Sequence, residues 1–364
     1  MRRKKNCWAV SWLTLKTEDR VHVDLIRTVG IVLVIIVHAA IEPHPIVETM
    51  DLTEVVRWFT VNTYDSLARS SVPLFVMISG ALLLQPAKVE PIRVFLKKRT
   101  VRIGLPYVLW GTIYFVWRFL VNQEAFSPST VFQGVLTGPY YHFWFLYMLF
   151  GLYLITPVLR VLTVHATRGI MRYFMVLLIV GTAVMPPLVL LSGFAFELKI
   201  FAITGWITYF LLGYYLLETR ARTSILVGLW LTAVLLTNIG TYVVTSLVGG
   251  HRGLVFLDFL SVTVVLASSS LFLLLGRVSP IGLETRFPRG SKLIHFIGQS
   301  TLAIYLLHVI VLESLQKGYF GFQISVNTIH PIVEVPLITV LTLFICIGWV
   351  FLLKKVPVLK KIIG

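Results

Sequence analysis

The chain has 364 residues, of which 57% are hydrophobic and only 13% are charged, and its formal net charge is +16. Soluble domains carry roughly 25% charged residues, so a chain this apolar has too few polar side chains to cover a globule. The composition therefore excludes an ordinary soluble protein and predicts an all-α polytopic membrane protein. Cys7 and Cys346 lie far apart in sequence, so neither a disulfide framework nor a metal site is expected.

About ten apolar stretches are long enough to cross a bilayer, and each is predicted to be a transmembrane helix. In chain order they are 23–41, 66–86, 104–122, 142–159, 173–191, 200–217, 224–248, 254–275, 293–315 and 332–353. The short loops between them leave no room for a soluble catalytic domain. Any chemistry is therefore expected among the helices.

The placement of the basic residues predicts the orientation of the chain. An even number of crossings brings both termini to one side, and that side carries 26 of the 32 lysines and arginines. Lysine and arginine accumulate in cytosolic loops, so both termini are expected in the cytosol. The positive charge is then a consequence of topology, and a nucleic-acid partner is not expected.

A single membrane domain is predicted over residues 23–353, between a cytosolic arm at 1–22 and a basic cytosolic tail at 354–364. The arm begins with basic residues, but its apolar patch is short and no small-residue cleavage site follows it. We therefore expect the first span to remain uncleaved. The location expected for such a chain is the cell (plasma or inner) membrane, with membrane lipids as partners.

The first span, DLIRTVGIVLVIIVHAA, carries ionisable residues on an apolar helix. Eleven residues separate Arg27 from His38, and eleven residues of α-helix make about three turns and a rise of about 16 Å. The two side chains therefore share one stripe of the helix. Each has a plain alternative, since Arg27 can reach the headgroups as an anchor and His38 can make an interhelical hydrogen bond. Their common face favours a shared interior cleft.

Five segments resemble, in order, the integral-membrane acyltransferase type 3 family. The first is the Arg27-x10-His38 pattern preceded by Asp24. The other four are ARSSVPLFVMISGALLL (68–84), FLKKRTVRIGLPY (95–107), YYHFWFLYMLFGLYLITPVL (140–159) and TLAIYLLHVIV (301–311). The resemblance implies transfer of an acetyl or succinyl group from cytosolic acyl-CoA to a hydroxyl of an extracytoplasmic glycan. It is strongest to stand-alone members such as the O-acetyltransferase of enterobacterial common antigen.

The resemblance also implies roles for residues on the donor side. His38 is expected to be the catalytic base, or alternatively the nucleophile that takes the acyl group. Arg27, Arg99 and Arg102 are expected to bind acyl-CoA, because arginine binds phosphate oxygens in a bidentate way. Asp24 is expected to orient Arg27 or pair with it. Acyl-CoA is a substrate, and no tightly bound cofactor is expected.

A second set of residues is expected at the depth of His38, near the acceptor or the oxyanion. The set is Arg69, His142, Trp144 and His308. For each of them a structural role is an open alternative, such as an interfacial anchor for Arg69 or a hydrogen bond within the bundle for His308. In the stretch MISG, Ser79 and Gly80 are expected to form a close helix contact. The acceptor is expected to be a cell-surface glycan or a lipid-linked saccharide.

A different class of function is compatible with a polar stripe inside a membrane protein. A polysaccharide or small-anion transporter or flippase could use Arg27 and His38 to line its pathway. Transporters often contain inverted repeats with broken helices, and the sequence shows no corresponding halves. The acyltransferase is therefore the leading hypothesis.

Overall fold

The computed structural model describes residues 19–40, 50–85, 90–184, 205–248, 252–325 and 329–363. The described residues are almost entirely helical and contain no strand, which confirms the predicted all-α membrane fold. The α-helices are α1 (Asp19–Ala39), α2 (Leu52–Ala68), α3 (Ser71–Leu83), α4 (Ile92–Val116), α5 (Pro128–Thr137), α6 (Trp144–His165), α7 (Arg168–Ile179), α8 (Gly205–Leu216), α9 (Thr223–Val248), α10 (Val262–Leu275), α11 (Pro280–Arg286), α12 (Pro288–Gln299), α13 (Thr301–Gln316), α14 (Pro331–Leu353) and α15 (Pro357–Ile362).

Six segments are long and apolar enough to cross a membrane, or up to eight if two bent helix pairs each count as one span. About ten spans were predicted, and the two that are not among these eight are 173–191 and 200–217. The first of these runs into residues 185–204, which lie outside the described part of the chain, and the second begins there. The predicted cytosolic arm, apart from residues 19–22, also lies outside it.

The second span is longer than the sequence predicted, because α2 continues into α3 and the apolar segment reaches from 52 to 83. Arg69 therefore lies inside the span, between the two helices, rather than at its start. Polar residues on α2 lower the apolar character of this part of the span, so the sequence did not indicate the extension. They find partners within the bundle: Asn62 donates a hydrogen bond to the backbone oxygen of Asn238 on α9 at 3.0 Å, and Asp65 pairs with Arg69.

The basic segment before the third span is also helical, whereas the sequence analysis placed it in a loop. Arg99 and Arg102 lie in the first half of α4, which begins directly after Pro91. Lysine and arginine are good helix formers, and a proline restricts the preceding residues, so the helix starts there. The four basic side chains Lys97, Lys98, Arg99 and Arg102 are thus held on one rigid element.

Helix α1 lies at the centre of the bundle and packs against α2, α3, α12, α13 and α14. Its buried side chains include Ile26, Ile31 and Ile35, each with no exposed surface. Gly30 allows the ring of Phe75 on α3 to come close, since a Cβ at Gly30 would lie 3.0 Å from that ring. The helix that carries Arg27 and His38 is therefore surrounded by protein on several sides.

Glycines let α3 and α8 pack with their backbones in contact. A Cβ on Gly80 would lie 1.8 Å from the backbone oxygen of Phe210, and one on Gly213 would lie 1.9 Å from that of Met77. No side chain fits into that space. The expected close helix contact at Gly80 is confirmed, and it follows the general use of small residues between membrane helices.

The bundle has two ends, which we name by their residues. The basic end is where α1 and α4 begin and α6 ends, and Arg160 of α6 lies over the ring of Phe95 there. The histidine end is where α1 ends and α6 begins. Helix α12 meets α13 at an angle of 83° and crosses the basic end. The sequence analysis predicted one continuous span over 293–315, so this bend was not foreseen.

Candidate active site

Three histidines from different parts of the chain meet at the histidine end. His38 lies in the last turn of α1, His142 in the 3-10 turn before α6, and His308 in the middle of α13. The ring centroids of His38 and His308 are 5.1 Å apart, and those of His142 and His308 are 5.7 Å apart. The structure thus brings together all three histidines that the sequence analysis selected.

The three rings differ in exposure. His142 and His308 have no exposed surface, whereas His38 is partly exposed. Nδ1 of His308 is 2.5 Å from the backbone oxygen of Tyr305, and the hydroxyl of Tyr305 donates a hydrogen bond of 2.6 Å to the backbone oxygen of His142. Two of the rings are therefore fixed inside the protein, and a substrate can reach the third.

Several nitrogens of these rings have no hydrogen-bond partner among the described residues. They are Nδ1 of His38, both nitrogens of His142 and Nε2 of His308. Buried polar atoms are nearly always hydrogen-bonded, so a group of unpaired nitrogens indicates a place where water or a ligand binds. No group of three or more His, Cys, Asp or Glu side chains in the described ranges could hold a metal ion.

Tyrosines surround the histidine cluster, and two of them, Tyr114 and Tyr141, were not predicted as site residues. The ring of Tyr114 is 4.8 Å from that of His142, and its hydroxyl donates to the backbone oxygen of Leu306. Tyr305 was recognised only as part of a motif. Tyr141 contacts His38, with ring centroids 5.3 Å apart, and remains half exposed. The position of Tyr141 just before a helix is equally typical of a tyrosine at the membrane interface, so its place in the site did not follow from the sequence.

Arg69 lies close enough to His38 for an electrostatic interaction. Its guanidinium forms an ion pair with Asp65 and lies 5.2 Å from the ring centroid of Phe259. Its buried Nε has no partner among the residues described. Arg69 is thus a positive group beside His38 with one N–H still available.

Trp144 does not join the histidines. Its ring packs against Trp206 and Phe259, with centroid distances of 5.4 Å and 6.1 Å. Among the described residues it reaches the site through Phe259, whose ring lies beside Arg69, and through Phe145, whose ring packs against Tyr305. The sequence placed Trp144 beside His142 because the two are close in the chain, but one lies in the 3-10 turn and the other begins α6, so their side chains point in different directions.

At the basic end, Arg27 interacts electrostatically with Arg102 and Arg99. Arg99 lies over two rings, 5.4 Å from the centroid of Phe95 and 5.7 Å from that of Tyr153. All three predicted donor-side arginines are therefore brought together. Asp24 is the acid that offsets the charge of Arg27. Glu90 interacts with Arg99 but is itself bonded to Lys98, so the three positive charges repel one another unless an anion binds between them.

The lysines of the same helix face away from this cluster. Lys97 and Lys98 are exposed, and Lys98 bonds to Glu90 at 2.8 Å. The hydrogen bond from Lys98 lowers the pKa of Glu90 below its ordinary value. Arg160, which the sequence analysis did not select, lies 4.5 Å from the ring centroid of Phe95 and donates to the backbone oxygen of Leu83. It is a further cation at this end.

Asp24 bonds to a histidine of α12, and its expected role in orienting Arg27 or pairing with it stays a prediction. The buried carboxylate of Asp24 bonds to Nδ1 of His295 on α12 at 2.7 Å, and its interaction with Arg27 is only a longer-range electrostatic one. Gly298 makes this possible, because a Cβ there would lie 2.6 Å from Asp24. His295 could not be found from sequence, since its approach depends on the bend between α12 and α13.

The two clusters lie on one stripe of α1. Ile31 and Val34 fall between Arg27 and His38 on that stripe and are 0% and 2% exposed. At about 1.5 Å per residue the two polar side chains are separated by a rise of about 16 Å. The stripe therefore faces the interior of the bundle along its length, with arginines at one end and imidazoles at the other.

Comparison with known proteins agrees with this geometry. An acyltransferase domain family, Acyl_transf_3, matches residues 20–351 and so covers every residue of both clusters. No curated protein and no solved structure matches the chain significantly. A buried site with an accessible imidazole beside a cation is suited to acyl transfer, which needs a base and a stabilised oxyanion. The chain belongs to the acyltransferase 3 family and is a multi-pass membrane acyltransferase.

Proposed function

We propose that the enzyme moves an acetyl or succinyl group from cytosolic acyl-CoA to a hydroxyl of a glycan on the far side of the cell membrane. The observation that carries this proposal is the single stripe of α1, which joins an arginine cluster at one end of the bundle to a histidine cluster at the other. A donor that is anionic at one end and reactive at the other fits both clusters.

The basic end suits the phosphates of CoA. Arginine side chains bind phosphate oxygens through paired N–H groups, and each such charge-assisted contact is worth about 1.5–3 kcal/mol. Arg27, Arg99 and Arg102 lie together; of the acids that interact with them, Asp24 is bonded to His295 and Glu90 is bonded to Lys98. A bound polyphosphate would relieve the repulsion among the three arginines. The predicted topology places this end in the cytosol, where acyl-CoA is made.

The histidine end suits the transfer step. As the acceptor oxygen attacks the thioester carbonyl, its proton passes to an imidazole nitrogen of His38. The C–S bond then breaks, and the leaving thiolate takes the proton from His38. Arg69 provides positive charge beside His38 for the oxyanion that forms in between. In the alternative course, His38 itself attacks the thioester carbonyl, the C–S bond breaks and the CoA thiolate leaves. The acceptor oxygen then takes the acyl group from the ring nitrogen, and its proton passes to the thiolate.

His142 and His308 act as positioning residues in this proposal. Both are buried, and each contacts the other or His38 through its ring. They hold the accessible ring of His38 in place. Trp144, which packs away from the histidines, supports Phe259 and through it Arg69.

Two sets of variants test the proposal on purified enzyme. In His38→Ala, release of CoA thiol during transfer should fall by about 10²–10⁴, the usual effect of losing a general base. His165→Ala, an exposed histidine at the end of α6, is the matched control and should retain activity. Full thiol release by His38→Ala would rule out the proposed role of that residue.

For the donor, Arg99→Ala and Arg102→Ala should each raise the Kd for CoA by at least about tenfold, given the strength of charge-assisted contacts. Lys97→Ala is the control, because Lys97 is an exposed cation on the same helix. If all three variants bind CoA alike, the basic end is not the CoA site.

A further inference from the structure

An open cavity of about 390 Å³ lies beside the histidine cluster, and nothing in the proposed transfer step uses it. Its volume is within the range of small-molecule sites. Its lining consists of one charged side chain, hydroxyl and amide groups, backbone and two aromatic rings. These residues are Arg118, Thr130, Gln133, Gly134, Thr137, Gly138, Pro139, Tyr140 and Tyr141.

Helix α5 forms one wall of this cavity with a single face. Thr130, Gln133, Gly134 and Thr137 all line it, and positions three, four and seven residues after Thr130 lie on the same side of an α-helix as Thr130. Two phenols hold the helix to the bundle, since Tyr107 and Tyr147 both donate hydrogen bonds to the backbone oxygen of Val135, at 3.1 Å and 2.5 Å. The wall is therefore a built part of the site.

The opposite face of α5 is apolar and exposed. Phe132, Val135 and Leu136 are 65%, 48% and 59% exposed, and Phe126 just before the helix is 70% exposed. Helix α5 belongs to the candidate span Pro128–His165, and an exposed apolar surface on such a segment lies against lipid. The cavity therefore opens beside lipid.

The charge within the cavity is already compensated. Nε of Arg118 donates to Glu124 at 2.8 Å, its NH2 group is 2.7 Å from the same carboxylate, and its NH1 group donates to the backbone oxygen of Pro139. The other described lining residues are neutral. An acidic ligand would find no free cation in this lining, and burying an unpaired charge is costly.

Tyr141 links the cavity to the histidines. It lines the cavity and its ring packs at 5.3 Å from the ring of His38 and 5.1 Å from that of Tyr140. A ring-shaped ligand that stacks on these two tyrosines would hold its edge next to His38. The cavity thus combines aromatic faces with neutral hydrogen-bonding groups, which is the chemistry of a saccharide site.

We infer that this cavity binds the acceptor, and that the acceptor is a neutral sugar attached to a lipid. The inference rests on the proposed function for the identity of the reaction, but it adds a binding site, a charge preference and a lipid attachment. The sugar stacks on Tyr140 and Tyr141, Gln133 and the threonines bind its hydroxyls, and the lipid chain runs along the apolar face of α5.

The test measures binding without any acyl donor, by calorimetry on the full chain in lipid nanodiscs, with empty nanodiscs as the blank. The probes are octyl glucoside, octyl glucuronide and methyl glucoside. Octyl glucoside should bind at least tenfold more tightly than either of the others. Equal or tighter binding of the glucuronide would overturn the charge preference, and equal binding of methyl glucoside would overturn the lipid attachment.

A pair of variants places the probe in the cavity. Gln133→Trp fills the polar face of α5 and should weaken octyl glucoside binding at least tenfold, whereas Ser129→Trp adds the same bulk outside the lining and should change it less than twofold. Equal effects of the two variants would overturn the site. The three probes are compared on the wild-type protein alone, so that comparison still tests the inference if a variant fails to fold.

The inference and the proposed function fail separately. If the wild-type enzyme binds octyl glucoside as expected but releases no thiol from acetyl-CoA or succinyl-CoA, the donor chemistry is wrong and the saccharide site stands. If thiol is released and glycans are acylated but no probe binds, the cavity is not the acceptor site.

Discussion

Helix α12 packs closely against α1 at the basic end because residue 298 is a glycine and has no side chain. The variant Gly298→Ala tests this contact. The added Cβ would lie 2.6 Å from Cα and Cβ of Asp24 and 2.8 Å from its Oδ1. Carbon atoms pack at about 3.5–4.0 Å, so α12 must move away from α1 by roughly 1 Å. The hydrogen bond of 2.7 Å between Asp24 and His295 would then be lost.

The expected effect on stability follows from two opposing terms. Replacing glycine by alanine within a helix favours folding by up to about 1 kcal/mol, and forcing an extra carbon into a packed contact costs about 1–3 kcal/mol. Gly290→Ala on the same helix gives the first term alone, because its Cβ would lie 3.6 Å from the nearest atom, Cβ of Phe287. The variant Gly298→Ala should therefore be less stable than Gly290→Ala by about 1–3 kcal/mol.

The measurement is unfolding of both variants in one detergent, together with the Kd for CoA. Since Asp24 lies one turn before Arg27, a carboxylate released from His295 should compete with the CoA phosphates for Arg27. CoA binding should therefore weaken in Gly298→Ala and stay unchanged in Gly290→Ala. If the free energies of unfolding of Gly298→Ala and Gly290→Ala lie within about 0.5 kcal/mol of each other, the packing argument is refuted, because the added Cβ at residue 298 then costs no more than the one at residue 290.

Two further predictions concern polar groups inside the second span. Arg69→Met leaves the carboxylate of Asp65, which is 1% exposed, without its ion pair. Breaking a buried pair in this way should destabilise the protein by about 3–5 kcal/mol. Adding Asp65→Asn should restore much of the lost stability in the same unfolding assay. Asn238→Leu removes the side-chain hydrogen bonds of Asn238 with Asn62 and Thr63 but leaves the one that its backbone oxygen accepts from Asn62, and it should lower stability by about 0.6–2 kcal/mol, as for other hydrogen bonds between membrane helices. Thr60→Val, an exposed position whose hydroxyl bonds only within its own helix, is the control for the second variant, and equal losses in the two would contradict the interhelical role.

The sequence allowed the two clusters to be predicted because helical periodicity alone places Arg27 and His38 on one stripe. His142, His308, Arg99 and Arg102 then followed from their motifs and from the side of the membrane that each span end faces. What each residue does in catalysis stays a prediction.

The missed features depend on packing between distant segments. His295 reaches Asp24 only because the chain bends between α12 and α13. The early part of the second span looked too polar because Asn62 and Asp65 find their partners on other turns and helices. Helix α5 belongs to a candidate span that begins at Pro128, but its polar face lowered the apolar character of that segment, so the span was predicted to begin only at residue 142.

The central position of α1 has a consequence for the choice of donor. Arg27 and His38 belong to one uninterrupted helix, so the axial spacing between their backbones is set by the helical rise and does not change when the surrounding helices shift. Under the proposed function, that spacing acts as a length requirement: a thioester on a short carrier would reach either the arginines or the imidazole but never both. The helix thereby selects a long-armed donor by its geometry, whatever acyl group that donor carries.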